Sequence, residues 1–291
     1  MNQDARGLAA ILFAATVWGT TGTAATFAPA VGPAAVGAAA MGFGGLAQAF
    51  LAAGGIRHHA AGIWQDRALW ILGGLGVAIY PLAFYGAMRL AGVTIGTVVT
   101  IGAAPLFSAL LEYLVDRAPL SRRWGIGAAL GIAGIVLLVN AEGGGGATPS
   151  ARGVSLGLLG AFTYALYAFT ARRMMLRGLP SHVAMGATFG LGGLLLMPVL
   201  ALTGGAFLAT WGNAAVGLYM ALVPMFLGYL AFGYGLARVR ASTATTLTLF
   251  EPVVAALLAV WVVGEQLAPM GWTGVGLVGA CLVCVSWPAK A

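Results

Sequence analysis

Ten apolar stretches of about 19 to 24 residues, almost free of charge, run through the chain and constrain its fold more than any motif in it. At ~1.5 Å rise per residue, a helix of that length crosses the ~30 Å hydrocarbon layer of a membrane. The predicted spans are residues 7–27, 33–53, 68–88, 93–115, 122–140, 153–171, 183–202, 214–237, 241–263 and 270–288. A membrane β-barrel would need strands of ~10 residues alternating polar and apolar, and nothing here alternates. Hydrophobic residues make up 60% of the 291 and charged residues 7%, with a mean hydropathy of +0.96, which excludes a soluble domain. The expected fold class is an all-α membrane protein of ten transmembrane helices.

The 14 Lys and Arg residues predict its orientation, because cytoplasmic loops retain positive charge. With the N-terminus inside, Arg6, Arg57, Arg67, Arg117, Arg122, Arg123, Arg172, Arg173, Arg177, Arg238, Arg240 and Lys290 fall on the cytoplasmic face, and only Arg89 and Arg152 fall outside. Both termini are therefore expected in the cytoplasm. The net charge of +7 then belongs to topology and to anionic lipid headgroups, and gives no reason to invoke nucleic acid. His58, His59 and His182 lie in the same loops and read as solvated side chains.

Arg6 followed by an apolar run, with Ala28-Pro29-Ala30 after it, has the outline of a cleaved signal peptide, but an internal repeat argues that the first helix belongs to the fold. Arg6-Gly7 with Trp18 eleven residues on recurs as Arg152-Gly153 with Tyr164. Tyr80, Tyr85-Gly86 and Arg89 recur as Tyr229, Tyr234-Gly235 and Arg238, and Pro105 with Ala109-Leu110-Leu111 recurs as Pro252 with Ala256-Leu257-Leu258. The unit is five helices, an odd number, so the second copy crosses the membrane in the opposite sense. The expected organisation is a first repeat over 1–142, an external linker over 143–151 containing Gly143 to Gly146, and an inverted second repeat over 152–291. Inverted repeats place a substrate site near the midplane and offer two related conformations for alternating access.

Trp18-Gly19 in the first helix, Glu251-Pro252 in the ninth and Gly264-Glu265 at its end, set in ten spans and two halves, resemble the EamA-type drug/metabolite transporters over the whole chain. Within that superfamily the chain is most similar to the bacterial aromatic amino-acid exporters. The resemblance implies a multi-pass protein of the inner membrane that exports small metabolites. The first half departs from the pattern, with Ala104-Pro105 in place of Glu251-Pro252 and Asp116-Arg117 in place of Gly264-Glu265, so the two halves need not act alike.

The core, away from the span ends, has no Lys, Arg or His to neutralise a transported anion, which favours neutral or zwitterionic solutes. Aromatic rings can line a cavity and hold an ammonium by cation–π attraction of ~0.5 to 2 kcal/mol. Trp18, Tyr80, Phe84, Tyr164, Tyr167 and Tyr229 are the candidates. Tyr80 and Phe84, and Tyr164 and Tyr167, share a helix face at spacings of four and three, whereas Tyr85 is expected off this wall. Thr97 with Thr100, and Thr245 with Thr248, supply hydroxyls beside Pro105 and Pro252. Each proline is expected to break its helix and release a carbonyl one turn upstream, at Ile101 and Thr248.

Glu251 lies ten residues into its span, where an ionised side chain is costly unless it faces a polar cavity or a partner. It is the candidate for binding a substrate ammonium or exchanging it for a proton, against the plainer reading of a neutral Glu that fixes the proline break. Glu112 is expected to pair with Arg117 or with loop arginines, and Asp116 and Glu265 to end their spans. Gly127 with Gly131, Gly153 with Gly157, Gly186 with Gly190 and Gly276 with Ala280 have the spacing that lets helices approach closely. Cys281 and Cys284 have C-x-x-C spacing inside an apolar helix with no further Cys or His near, so no metal or other cofactor is expected. No phosphate-binding loop is present, so ATP is not an expected partner, and no cluster of acids, histidines or nucleophile suggests an enzyme. The partners expected are a small-molecule substrate and lipid, for a monomer. The function expected is secondary export of amino acids, aromatic ones included. The alternative is export of multiple drugs or cationic compounds, with proton coupling open in either case.

Overall fold

The computed structural model describes residues 3–91, 93–141, 150–263 and 268–286. Its main helices are α1 (Ala5–Thr26), α2 (Pro33–Leu51), α3 (Arg67–Ala91), α4 (Val93–Asp116), α5 (Arg122–Ala141), α6 (Ala151–Leu176), α7 (Ser181–Leu208), α8 (Trp211–Leu236), α9 (Ala241–Val262) and α10 (Pro269–Ser286). Among the described residues no strand occurs, and nine helices are long and apolar enough to cross a membrane. α5 occupies the stretch expected as the fifth span and lies along α10. The expected linker segment 143–149, Gly264-Glu265 and Lys290 lie outside the described residues.

Where the chain departs from regular helix, local chemistry explains most of it. α1 bends at Thr20, beside the hydroxyls of Thr20 and Thr21, which donate to the Val17 and Trp18 carbonyls at 2.6 and 2.7 Å. α8 widens into π-type turns over Ala221–Gly228 around Pro224, and α9 tightens to 3-10 geometry over Thr248–Phe250, just ahead of Pro252. The break expected at Pro105 is absent: α4 runs through it as continuous α-helix. The turn before Pro105 is Gly102-Ala103-Ala104, small enough to accommodate the ring, whereas the turn before Pro252 carries Leu249, Phe250 and Glu251. The loop after α2, read from sequence as plain loop, contains two short helices, Ala53–His58 and Ala60–Gln65.

Helices related by the repeat make matching contacts. α2 packs on α7 and α5 on α10, while α3 packs on α6 as α8 does on α1, and α4 on α6 as α9 does on α1. Small residues allow these approaches. A Cβ placed on Gly274 would sit 2.5 Å from the Gly134 carbonyl oxygen, and one on Gly193 2.7 Å from that of Gly42. The expected seams at Gly127 with Gly131, Gly153 with Gly157 and Gly186 with Gly190 all face neighbouring helices. Gly276 does not, since nothing lies within 4 Å of its missing Cβ. Large apolar side chains such as Phe50, Leu202, Trp211 and Trp261 point outward, as lipid contact requires.

At the end of the bundle formed by the close of α4 and of α6, Arg173 pairs with Asp116 at 2.7 Å and Arg177 with Asp66. Asp116 thus anchors a helix end, as expected. Cross-links of this kind, rather than the apolar seams, mark this end of the molecule.

Candidate functional site

Hydroxyls and carbonyls that cannot reach water inside a membrane must find each other, and the pairs they form define the centre of the molecule. The Trp18 indole N–H donates to the Pro224 carbonyl at 2.8 Å, and the Gln48 amide donates to that of Met225 at 3.2 Å. Both acceptors belong to the widened stretch of α8, which the two side chains fasten to α1 and α2. Gly228 accommodates this arrangement, because a Cβ there would lie 2.6 Å from the Trp18 indole nitrogen. Gly19 does the same for α9: a Cβ on it would lie 2.8 Å from the Glu251 carbonyl oxygen and 2.6 Å from Val254 Cβ. The Trp18-Gly19 dipeptide therefore has two structural jobs, one on α8 and one on α9.

Beside these contacts lies a small, partly open cavity with about 40 Å³ of room for water-sized groups. Trp18, Tyr80, Phe84, Tyr164 and Tyr229 line it, together with Glu251, the one charged side chain among its lining residues. Tyr80 stacks on Phe84 with ring centres 5.8 Å apart and planes 7° from parallel, and lies 5.5 Å from Tyr164. Trp18 packs on Tyr229 at 4.5 Å. These six predicted residues come from α1, α3, α6, α8 and α9, and the fold brings them together.

The remaining predicted residues fall elsewhere. Tyr167 is fully buried beneath the cavity, where its hydroxyl shares a hydrogen bond with that of Tyr229 at 2.8 Å and its ring meets Phe189 at 5.3 Å. Thr248 is buried behind the wall, sharing a 2.8 Å hydrogen bond with the Tyr164 hydroxyl and bonding the Thr245 carbonyl. Pro252 is buried at the start of the regular turns of α9 that follow the 3-10 segment. Thr97 is half-buried and not among the lining residues, and Thr100 packs into the seam between α4 and the Gly157–Gly160 stretch of α6. Pro105 is buried in unbroken helix, so it offers no released end to a ligand.

The sequence reading missed Thr21, Gly37, Met41, Pro81, Tyr85 and Met225 in the lining. Tyr85 is the main correction: expected off the wall, it faces the cavity, with its ring 5.3 Å from Phe84. Glu112 is another. It forms no close ion pair among the described residues and accepts hydrogen bonds from Ser242, while the Arg172 guanidinium lies near enough to be attracted by its carboxylate.

The lining reaches Thr21, Gly37 and Tyr85 toward the α1–α2 connection, and the buried rings of Tyr167, Phe189 and Phe232 pack against Tyr164 and Tyr229 of its wall. The pattern of the EamA-like transporter family matches the chain twice, over residues 5–140 and 151–287. The chain belongs to the EamA-like transporter family. It is therefore a multi-pass membrane transporter with the two-repeat fold of that family.

An uncharacterized transporter of Bacillus subtilis, YwfM, is 32% identical over 285 residues, covering 95% of this chain and 92% of its own. A probable terminal-alkyne amino-acid exporter of Streptantibioticus cattleyicolor is 27% identical, covering 92% of each chain. A crystal structure superposes with a TM-score of 0.77 at 20% identity, over 96% of this chain and 95% of that one, a likeness of fold. Within this EamA-like chain, the two family-like dipeptides meet at one place: Gly19 of the first lies against Glu251 of the second.

Proposed function

We propose that this EamA-family protein is a secondary transporter that exports small neutral or zwitterionic metabolites, amino acids including aromatic ones, across the inner membrane by alternating access. The observation that carries this reading is the cavity wall of Trp18, Tyr80, Phe84, Tyr164 and Tyr229 with Glu251 among them. An aromatic side chain can stack on that wall while its ammonium is held by Glu251 and by cation–π attraction worth ~0.5 to 2 kcal/mol. The relative named as a probable amino-acid exporter supports the same class of cargo.

In this reading ten spans form two inverted five-helix repeats, residues 1–142 and 152–291, joined by the external segment 143–151. Both termini are cytoplasmic, and the protein works as a monomer without ATP or a cofactor. The side carrying the α1–α2 connection is then external, and Thr21, Gly37 and Tyr85 mark the outer end of the cavity. Substrate contacts fall to Trp18, Tyr80, Phe84, Tyr85, Tyr164 and Tyr229. Tyr167 and Thr248 hold those rings in place, and Glu251 couples binding to a proton.

One observation favours a second reading, export of cationic drugs: Glu251 has no cationic neighbour in the lining to receive a substrate carboxylate. Uptake of radiolabelled phenylalanine, methionine and threonine into proteoliposomes, with and without an imposed pH gradient, separates the two. Saturable uptake resisting competition by quaternary ammonium compounds supports the amino-acid reading. Transport of the quaternary compounds alone replaces it with the second, and transport of neither class removes both.

A further inference from the structure

Thr100, Ala104, Ser108 and Glu112 follow one another at intervals of four and are all buried, forming one continuous stripe along α4. The stripe faces helices that α4 packs against, α6 and the first turns of α9, and runs toward the end that carries the Arg173–Asp116 pair. There both oxygens of Glu112 are engaged. Ser242 donates its backbone N–H to Oε1 at 3.2 Å and its hydroxyl to Oε2 at 2.6 Å. Trp124 of α5 donates to Thr246 Oγ1 at 3.1 Å, and Arg240 to the Pro119 carbonyl at 3.1 Å. The first turn of α9 is thus tied to α4 and α5 by side chains separated by more than a hundred residues.

Further along the stripe, the Thr100 and Ser108 hydroxyls have no hydrogen-bond partner among the described residues. A buried hydroxyl without a partner works against the closed seam, so closure depends on what the end of the stripe supplies. Bonds to a desolvated carboxylate are of the stronger kind.

The repeat makes this tie one-sided. At the offset of 147 that relates Pro105 to Pro252, Glu112 corresponds to Ala259, so the second half has no carboxylate at this place.

We infer that the Glu112–Ser242 pair is the latch of the cytoplasmic gate, a tie between α4 and α9 that must break before the cavity opens inward and that has no equivalent at the outer gate. Glu112 and Ser242 are positioning residues: they touch no substrate, and they set how the transporter divides its time between its two open states. The inference rests on the alternating-access reading above and names the residues that set its balance.

Site-directed labelling tests it independently of transport. With Cys281 and Cys284 replaced by alanine, Ser108→Cys reports the inner seam and Thr21→Cys the outer mouth, each labelled by a membrane-impermeant maleimide from its own side in oriented vesicles. Glu112→Ala is expected to raise labelling at 108 about tenfold or more, as loss of bonds to a charged group implies, and to lower it at 21. Ser242→Ala, a milder change that keeps the buried carboxylate, is expected to shift both in the same directions by less. A rise at both sites would mean general loosening and would overturn the latch. So would unchanged labelling in both variants with the protein monodisperse in detergent. Wild-type uptake measured in parallel keeps the two readings apart, because reciprocal labelling without uptake would remove the cargo assignment and leave the latch standing.

Discussion

The hydroxyls of Tyr167 on α6 and Tyr229 on α8 share a buried hydrogen bond of 2.8 Å beside the cavity. Tyr229 also lines the cavity wall, so this bond connects the wall to the packed layer below it. Either tyrosine alone, changed to phenylalanine, leaves its partner's hydroxyl buried and unpaired. Both changed together leave none. Interhelical bonds in membranes average ~0.6 kcal/mol and reach ~1.7. Thermal melts in detergent should show each single variant destabilised by about that much, and the double variant by less than the sum of the two. Additive losses would mean that the bond contributes nothing.

Tyr85 belongs to the wall, with its ring against Phe84 and its side chain in the cavity lining. Tyr85→Ala is therefore expected to raise the KM for an aromatic substrate as much as Tyr80→Ala does, within about threefold, the scale of one aromatic contact. Uptake kinetics in proteoliposomes would check it. A Tyr85→Ala variant with wild-type kinetics beside an impaired Tyr80→Ala would return Tyr85 to a place off the wall.

Two glycines of α10 only two residues apart should respond in opposite ways. A Cβ on Gly274 meets backbone, the Gly134 carbonyl at 2.5 Å and the Leu138 nitrogen at 2.7 Å, and backbone cannot rotate away. Gly274→Ala must push α5 and α10 apart, at a cost of about 1 to 3 kcal/mol. Gly276 has open space around it, and alanine there gains ~0.5 to 1 kcal/mol from helix propensity. Comparing the two melting temperatures decides the matter.

Glu251→Gln preserves the shape of the cavity and removes the group that can take up a proton. Uptake driven by an imposed pH gradient should fall to the level measured without one, while exchange down a substrate gradient continues. Undiminished uphill transport by this variant would exclude Glu251 from coupling.

The helices were legible, nine of them long and apolar enough to cross a membrane among the described residues, because long apolar runs have little else to become in a chain of this composition, and the matching halves because Trp18, Tyr80, Pro105 and their counterparts sit at nearly constant offsets. The aromatic wall was legible in part. Spacing places Tyr80 and Phe84 on one face, but it cannot say how wide an arc of α3 faces the cavity, and Tyr85 fell just beyond the arc assumed. The threonines were misread for a related reason. A threonine in an apolar helix can bond its own backbone, as Thr245 does, so its presence says little about which neighbour it faces. Pro105 and Pro252 look alike as residues, and only the bulk of the preceding turn separates a continuous helix from a tightened one. The partner of Glu112 lies 130 residues away, beyond the reach of any local pattern.

Over Ala221–Gly228, the wide turns of α8 accommodate one residue more than a regular helix of equal rise. This gives α8 a built-in allowance for length. Deleting one residue within that stretch lets the wide turns relax to regular helix, with Tyr229 and Phe232 still facing α1. The same deletion after Tyr229 would turn everything beyond it by about 100° and carry Leu236 off its packed face. Insertion and deletion, usually tolerated in loops, have here a foothold inside a helix.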